Sequence, residues 1–459
     1  MIRKSKITFI CFLLLLSLPI IVVQASSDGV PANPINYKTK VTVKLLPTDT
    51  FSLSIFGSYQ IVNSDNNSLV PVSNPISVKQ QTGKIILTVD GHTYSSAKGF
   101  KINEIAAGDS NYVKVSRIKK STGDADTDYR GSFEIKPGQS TPLLFNSLDI
   151  ETYLKGVVAS EMPASWPKEA LKAQTVAARS FAYVQMQTKN YLEMTVASQV
   201  YNGKSAEHPN TNVAIQETSG VYALYNGKPI DANFHSSSGG HTENSEDVWS
   251  SQVPYLRGVE DPYDKLNGNY HYDWSTPIQR ETIENVLGLS DSQTLVRLNV
   301  TEKTKGGAVQ QMSALIYDQN TNLKTSMDLL PKFASTPDRF RSIFGSSLKS
   351  IKFDTSTNAS STIKLANGSE QKTDHLTGYK VMKADGSYEY IEDLNINVKT
   401  PDGIHYENVL PTHVNFNGDG WGHSIGMSQW GARGMATSGF TYDQILKHYY
   451  TGITVGPLQ

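Results

Sequence analysis

The run Asp149-Ile150-Glu151-Thr152-Tyr153-Leu154-Lys155-Gly156-Val157-Val158-Ala159-Ser160-Glu161-Met162-Pro163 carries the clearest periodicity in a chain of 459 residues. Ile150, Tyr153, Leu154, Val157, Val158 and Glu161 recur at i, i+3, i+4, i+7, i+8 and i+11, so they share one helix face. Met162-Pro163 should end that helix, because a residue before proline avoids the α region. Ser165 then offers a cap, with Pro167 in the first turn of a second helix. Its stripe is Ala170, Ala173, Ala177, Phe181 and Val184, with Gln174 among them. A further helix is expected near residues 442–450.

Away from these helices the pattern is strand and turn. Val41-Thr42-Val43-Lys44-Leu45 alternates, and residues 85–89 lead into Asp90-Gly91, a two-residue hairpin signal. Similar turn dipeptides stand at Asn226-Gly227, Asn367-Gly368, Asp385-Gly386 and Asp402-Gly403. Residues 63–75 and 355–374 are rich in Ser, Asn and Thr and read as exposed excursions. The expected class is α+β, with a β-rich region over 37–136 ahead of a mixed α+β region.

Composition narrows the function classes. Lys and Arg number 42 against 43 Asp and Glu, and no basic block is present, which argues against nucleic-acid binding. Arg3, Lys4 and Lys6 precede an apolar run over 7–23, and Val23-Gln24-Ala25 places small residues where a signal peptidase cuts. A cleaved signal peptide, residues 1–25, is therefore expected, followed by a polar linker over 26–36. Retention of the run as a membrane anchor is the other reading. The single cysteine, Cys11, lies inside the run, so the mature chain offers no disulfide, thiolate metal site or thiol nucleophile.

Three places carry side chains suited to chemistry. Glu161 continues an otherwise apolar helix face, and burial raises a carboxyl pKa toward the range a general acid needs. The bland alternative is a helix-end Glu paired with a base such as Arg179. Next, Ile230, Ala232 and Phe234 alternate with Asp231, Asn233 and His235, so His235 points away from the apolar face, into Ser236-Ser237-Ser238-Gly239-Gly240-His241-Thr242-Glu243. Such a loop offers N–H and hydroxyl groups to a sugar or an anion. Zinc ligation by His235, His241 and Glu243 is the competing reading, although no HExxH helix accompanies them. Third is Gly418-Asp419-Gly420-Trp421-Gly422-His423-Ser424-Ile425-Gly426-Met427-Ser428-Gln429-Trp430-Gly431, after an expected strand over 414–416. It contains a formal G-x-S-x-G nucleophile elbow, with Ser424, Asp443 and His448 in hydrolase order, but too little chain follows to build an α/β-hydrolase sheet. Glycines with two tryptophans better suit a tight turn beside an aromatic-lined, carbohydrate-binding cleft.

Taken together, residues 149–163, the continuation Trp166-Pro167-Lys168-Glu169-Ala170-Leu171-Lys172-Ala173-Gln174 through Val176-Ala177-Ala178-Arg179-Ser180-Phe181-Ala182, the His-Ser-Ser-Ser-Gly-Gly-His-Thr-Glu loop and the Gly-Trp-Gly-His-Ser-Ile-Gly-Met-Ser-Gln-Trp-Gly-Ala segment resemble the SpoIID/LytB family, in the family's order. The resemblance runs from about residue 146 to 450 and implies a domain over 140–455 with a β insertion near 266–401. It implies peptidoglycan as substrate. For the sporulation branch it implies lytic transglycosylase action on MurNAc–GlcNAc bonds, preferably in peptide-stripped strands, with Glu161 as the catalytic acid. Such an enzyme needs no second carboxylate, since the sugar's own 6-hydroxyl attacks C1. Gln174, Arg179, His235, Ser237, Gly239, Gly240, His423, Ser428 and Gln429 are then assigned to substrate binding or support. Some members bind zinc through a His and two Cys; residues 192–201 here hold no cysteine, so no metal and no cofactor is expected. The other branch implies a non-catalytic wall-binding module that enhances an amidase. A secreted or wall location, with an amidase or a sporulation wall-hydrolase complex as partner, completes the expectation.

Overall fold

The computed structural model describes residues 30–458 other than 267, 322, 331–334, 345–347, 358–360, 366, 374–379, 384, 391–394, 401–402 and 409–410. The leader, Cys11 and the start of the Asp402-Gly403 turn lie outside the described residues. The chain is α+β. It divides into two compact units: one has Leu45–Asn146 as its body, the other joins Tyr37–Lys44 to Ser147–Gln459. The first strand of the expected 37–136 region thus groups with the later chain.

The first unit is built of β-strands. One antiparallel sheet orders Ala125–Tyr129, Tyr112–Ile118, Thr50–Phe56, Ile76–Gln81, Lys84–Val89 and His92–Ser96 side by side. Alternation explains it: Ile85, Leu87 and Val89 are buried, while Lys84 at the strand's start is exposed and Ile86 and Thr88 are half-buried. Asp90 and Gly91 both take positive φ, 48° and 77°, as a type I′ turn requires. Ser132–Pro137, Phe100–Glu104, Tyr59–Asn63 and Leu69–Val70 pair in that order. The expected excursion over 63–75 therefore contains a strand.

In the second unit, helix α1 spans Ile150–Glu161 and helix α2 spans Lys168–Thr188. Asp149 caps α1, its carboxylate accepting from the Glu151 N–H at 3.1 Å. Ile150 N–H donates to Thr39 O and Thr39 N–H to the Asp149 carboxylate, so the segment 37–44 is tied to the start of α1. Val43 and Lys44 also pair in parallel with Leu192 and Glu193. Helix α2 starts behind Pro167 with no side-chain cap; the expected cap, Ser165, stands two residues too early. Gly156 lies inside α1 because a Cβ there would meet the Tyr201 ring at 2.7 Å. Arg179, buried in α2, forks onto Glu151 at 2.8 and 2.7 Å and donates to Val221 O, locking α2 to α1 and to the strand Val221–Tyr225.

The core under α2 gathers Ala173, Val176 and Ala177 with Ile230, Ile425, Met427, Ile445, Leu446 and Tyr449. The last three belong to the C-terminal helix Tyr442–Tyr449. A separate core forms in the inserted region, where Ile278, Leu295, Leu298, Phe340 and Phe353 pack with Val414 and Phe416. The expected strand over 414–416 is longer, His413–Asp419, and sits between Asp273–Gln279 and Phe353–Thr357. The described part of 355–374, expected as an excursion, forms a hairpin of Ser361–Lys364 with Glu370–Thr373. No described helix is long and apolar enough to cross a membrane.

Candidate active site

Glu161 ends α1 and opens onto a cavity of about 600 Å³, lined among others by His235, Trp249, Trp421, His423 and Gln429. Its Oε1 accepts the Val200 N–H at 2.6 Å. That donor is held in place from below. Tyr153 Oη donates to Gln199 Oε1 at 2.9 Å, Gln199 Nε2 donates to Ala178 O, and the Tyr153 and Tyr201 rings lie 5.2 Å apart. The loop 192–201 is thereby clamped to both helices. Gln429 Nε2 approaches the other carboxyl oxygen at 3.5 Å and Gln174 Oε1 at 3.4 Å. Burial pushes the Glu161 carboxyl up to about 7, and it outweighs the lowering by Val200 N–H and Gln429. A carboxyl poised there gives and takes a proton near neutral pH. The bland pairing does not occur: Arg179 holds Glu151, not Glu161.

The two remote loops meet as a parallel pair, Phe234 opposite Met427 and His235 opposite Ser428. Trp421 and Ser237 bridge their backbones at 2.8 and 3.1 Å. Ser428 caps the helix Gln429–Thr437, accepting from Gly431 N–H, so Gln429 is its first residue and faces Glu161.

The donors of the Ser/Gly loop are turned onto an internal carboxyl group. Asp264 accepts from Ser237 Oγ and Ser428 Oγ at 2.6 Å each, from Ser238 N–H at 3.1 Å and from Gly239 N–H at 3.0 Å. Ser238 Oγ donates to Asp261 at 2.8 Å, and Gly240 O accepts from the Asp261 N–H. Ser237, Gly239 and Ser428 thus spend these donors on Asp264, and the Gly240 N–H donates to Ser238 Oγ at 3.2 Å. Asp261, fully buried beside Asp264, is pushed upward by burial and by its neighbour's charge.

The histidines differ from the expected polar loop. His235 is 5% exposed and donates from Nδ1 to Ile425 O. His423 Nδ1 accepts the Ile425 N–H at 3.0 Å, and the two rings are 5.4 Å apart. Burial drops His423 to about 4 and His235 well below its ordinary value, so both imidazoles are neutral walls of the cavity. Glu243 is committed to buried Lys352 at 3.2 Å and to Thr304, and His241 Nδ1 to Thr242 O. Those residues do not converge on a metal; among the described residues no group of three or more His, Cys, Asp or Glu is placed to hold one. Ser424 has φ of 62° and a buried hydroxyl without partner, but Asp443 binds Thr441 and Lys447, and His448 packs on Tyr263 and Tyr449. No Ser-His-Asp line forms.

Several participants carry no sequence signature. The Val200 N–H is backbone. Asp261 and Asp264 read as ordinary turn residues. Asp338, on the cavity wall, is held by Arg341 at 2.7 Å and by Trp249 Nε1 at 3.3 Å.

A family model described as stage II sporulation protein matches residues 139–225, the stretch that holds α1, α2 and the Val200 loop. The amidase enhancer of Bacillus subtilis strain 168 is 34% identical over 318 residues, which cover 66% of this chain. The chain belongs to the SpoIID/LytB family. Stage II sporulation protein D of the same organism is 28% identical over 67% of this chain and 75% of its own length. An uncharacterized protein of Brachyspira hyodysenteriae is 28% identical, with 88% and 89% covered. The chain spans 40% of the amidase enhancer that it matches. All three SpoIID/LytB segments quoted from the sequence contribute to this one site: the first supplies Glu161, the second His235, the third His423 and Gln429.

Proposed function

We propose that this SpoIID/LytB protein acts on peptidoglycan and cuts its glycan strands as a lytic transglycosylase, with Glu161 as the single acid/base. The observation that carries the reading is a carboxyl that lines an open cavity with one N–H fixed on it and is lifted to about 7 by burial. Protonated Glu161 gives its proton to the glycosidic oxygen as the C1–O bond breaks. The carboxylate then takes the proton of the sugar's own 6-hydroxyl as that oxygen bonds to C1, which closes an anhydro ring and restores the acid. The other carboxylate on the wall, Asp338, is occupied by Arg341 and Trp249, which favours this one-carboxylate route over a two-carboxylate hydrolysis. Neutral His235 and His423 add no charge of their own to a wall whose basic side chains are Lys189 and Arg341, the latter paired with Asp338.

The amidase-enhancer relative favours a second reading, a module that binds wall glycan and raises the activity of an amidase without cutting. Export by cleavage after Ala25 and a wall location belong to both proposals. Purified protein incubated with peptide-free glycan strands decides between them by mass spectrometry. Anhydro-MurNAc ends that vanish in Glu161→Gln support the enzyme, with a loss on the order of 10²–10⁴ in rate. Intact strands, with equal stimulation of an amidase by wild type and variant, refute it.

A further inference from the structure

Running out from Trp421 on the cavity wall, aromatic side chains from three distant segments form a continuous line. Trp166 meets Trp430 at 4.9 Å, Trp430 meets Tyr270 at 5.4 Å, Tyr270 meets His271 at 4.1 Å and His271 meets Trp421 at 4.2 Å. Trp430 is the foundation, 5% exposed, and the outer rings are open: Tyr270 is 75% exposed and Trp421 38%. Two cations ride on the line, Lys349 at 4.6 Å over Trp421 and Arg433 at 4.7 Å over Trp430. An exposed tyrosine set edge-on to buried Trp430 and tilted against half-buried His271 contributes little to the core, and neither Tyr270 nor His271 lines the cavity around Glu161. Trp421 does both, since it also lines that cavity.

We propose that this ridge is a second glycan-binding surface, on which sugar units of the same strand stack after leaving the cavity past Trp421. The inference rests on the reading of the cavity as a glycan site and extends it to the strand's outer units. Aromatic faces take the C–H faces of sugars while the polar edges of Tyr270 and His271 meet hydroxyl and amide groups. Continuity through Trp421 argues for the same strand rather than a separate ligand. The cations over the rings suit the lactyl carboxylates that a peptide-free strand exposes at each muramic unit. Recognition should therefore improve with strand length, because each outer unit adds contact that the cavity alone cannot provide.

The test uses the full-length, non-cutting Glu161→Gln chain as background, either wild type at residue 270 or carrying Tyr270→Ala or Tyr270→Phe, and binds peptide-free tetrasaccharides and long peptide-free strands to each by calorimetry. The chain with Tyr270 intact should bind long strands more tightly. Tyr270→Ala should lose a few-fold to about tenfold on long strands and nothing on tetrasaccharides, and Tyr270→Phe should keep most of the gain. Tyr270 is mostly exposed, so the alanine variant keeps its fold, checked by circular dichroism. If the chain with Tyr270 intact shows no length dependence, or Tyr270→Ala retains it, the ridge is not a glycan surface and the cavity reading stands. If the chain with Tyr270 intact binds neither ligand, the cavity reading falls and the ridge with it. If Tyr270→Ala keeps glycan affinity but no longer stimulates an amidase, the ridge docks a protein and the proposal is overturned.

Discussion

Replacing Glu161 by glutamine should stabilise the protein in alkaline buffer while abolishing its proposed chemistry. Burial lifts this carboxyl from the ordinary 4.5 to about 7, so the folded chain holds the proton more tightly than the unfolded one. Below pH 4.5 the group is neutral in both states and folding is not penalised. Between 4.5 and 7 the unfolded chain releases the proton while the folded chain keeps it, and stability falls. Above 7 the folded protein carries a buried anion. At about 1.4 kcal/mol for each pH unit between the two values, the penalty reaches about 3 kcal/mol at pH 8. A glutamine amide has no such ionisation, and its oxygen still accepts from the Val200 N–H. Scanning calorimetry of both proteins at pH 4.5 and pH 8 should show coincident melting in acid. In alkali the Glu161→Gln transition of the second unit should lie several degrees higher. Wild-type strand cleavage should fall about tenfold per pH unit above 7, as the acid form disappears. A melting difference that is the same at both pH values would refute the buried-acid argument.

Three other outcomes are expected. Arg179→Ala strands the Glu151 carboxylate and the Val221 carbonyl and should cost about 3 kcal/mol in urea unfolding, since it breaks a largely buried ion pair. Gly431→Ala places a methyl group on the Tyr449 hydroxyl and the Asp261 carboxylate; about 2 kcal/mol should be lost by the same measurement, with weaker glycan binding as the helix that presents Gln429 is pushed away. The exported protein should begin at Ser26 by N-terminal sequencing.

Helix α1 was legible because five apolar residues and Glu161 share a 3.6-residue period, and Asp90-Gly91 because a type I′ turn demands two positive φ values. The placement of Glu161 on a mostly apolar face was legible for the same reason. Less could be read wherever the partner is distant in sequence. The serines and glycines of residues 236–240 show donors, but not that Asp264, some 27 positions on, consumes them. Alternation set His235 on the polar side of its strand, yet Gly422, the His423 ring and the Ile425 carbonyl lie against that side, so the imidazole is buried. The Val200 N–H leaves no mark in any side-chain pattern. The α2 start was displaced because Pro167 supplies a fixed φ of its own and needs no Ser165 hydroxyl.

The pairing of Val43 with Leu192 sets a schedule for synthesis. About 150 residues separate the partners, so at about 5–20 residues per second the early strand waits on the order of ten to thirty seconds for its neighbour to emerge. Leu45–Asn146 can complete its own core during that interval, whereas the second unit cannot. The same segment anchors the N-terminus of α1 through Thr39. A shortened chain starting near residue 140 would leave the Ile150 N–H and the Leu192 edge bare, and would loosen at its first turn the helix whose last residue is Glu161.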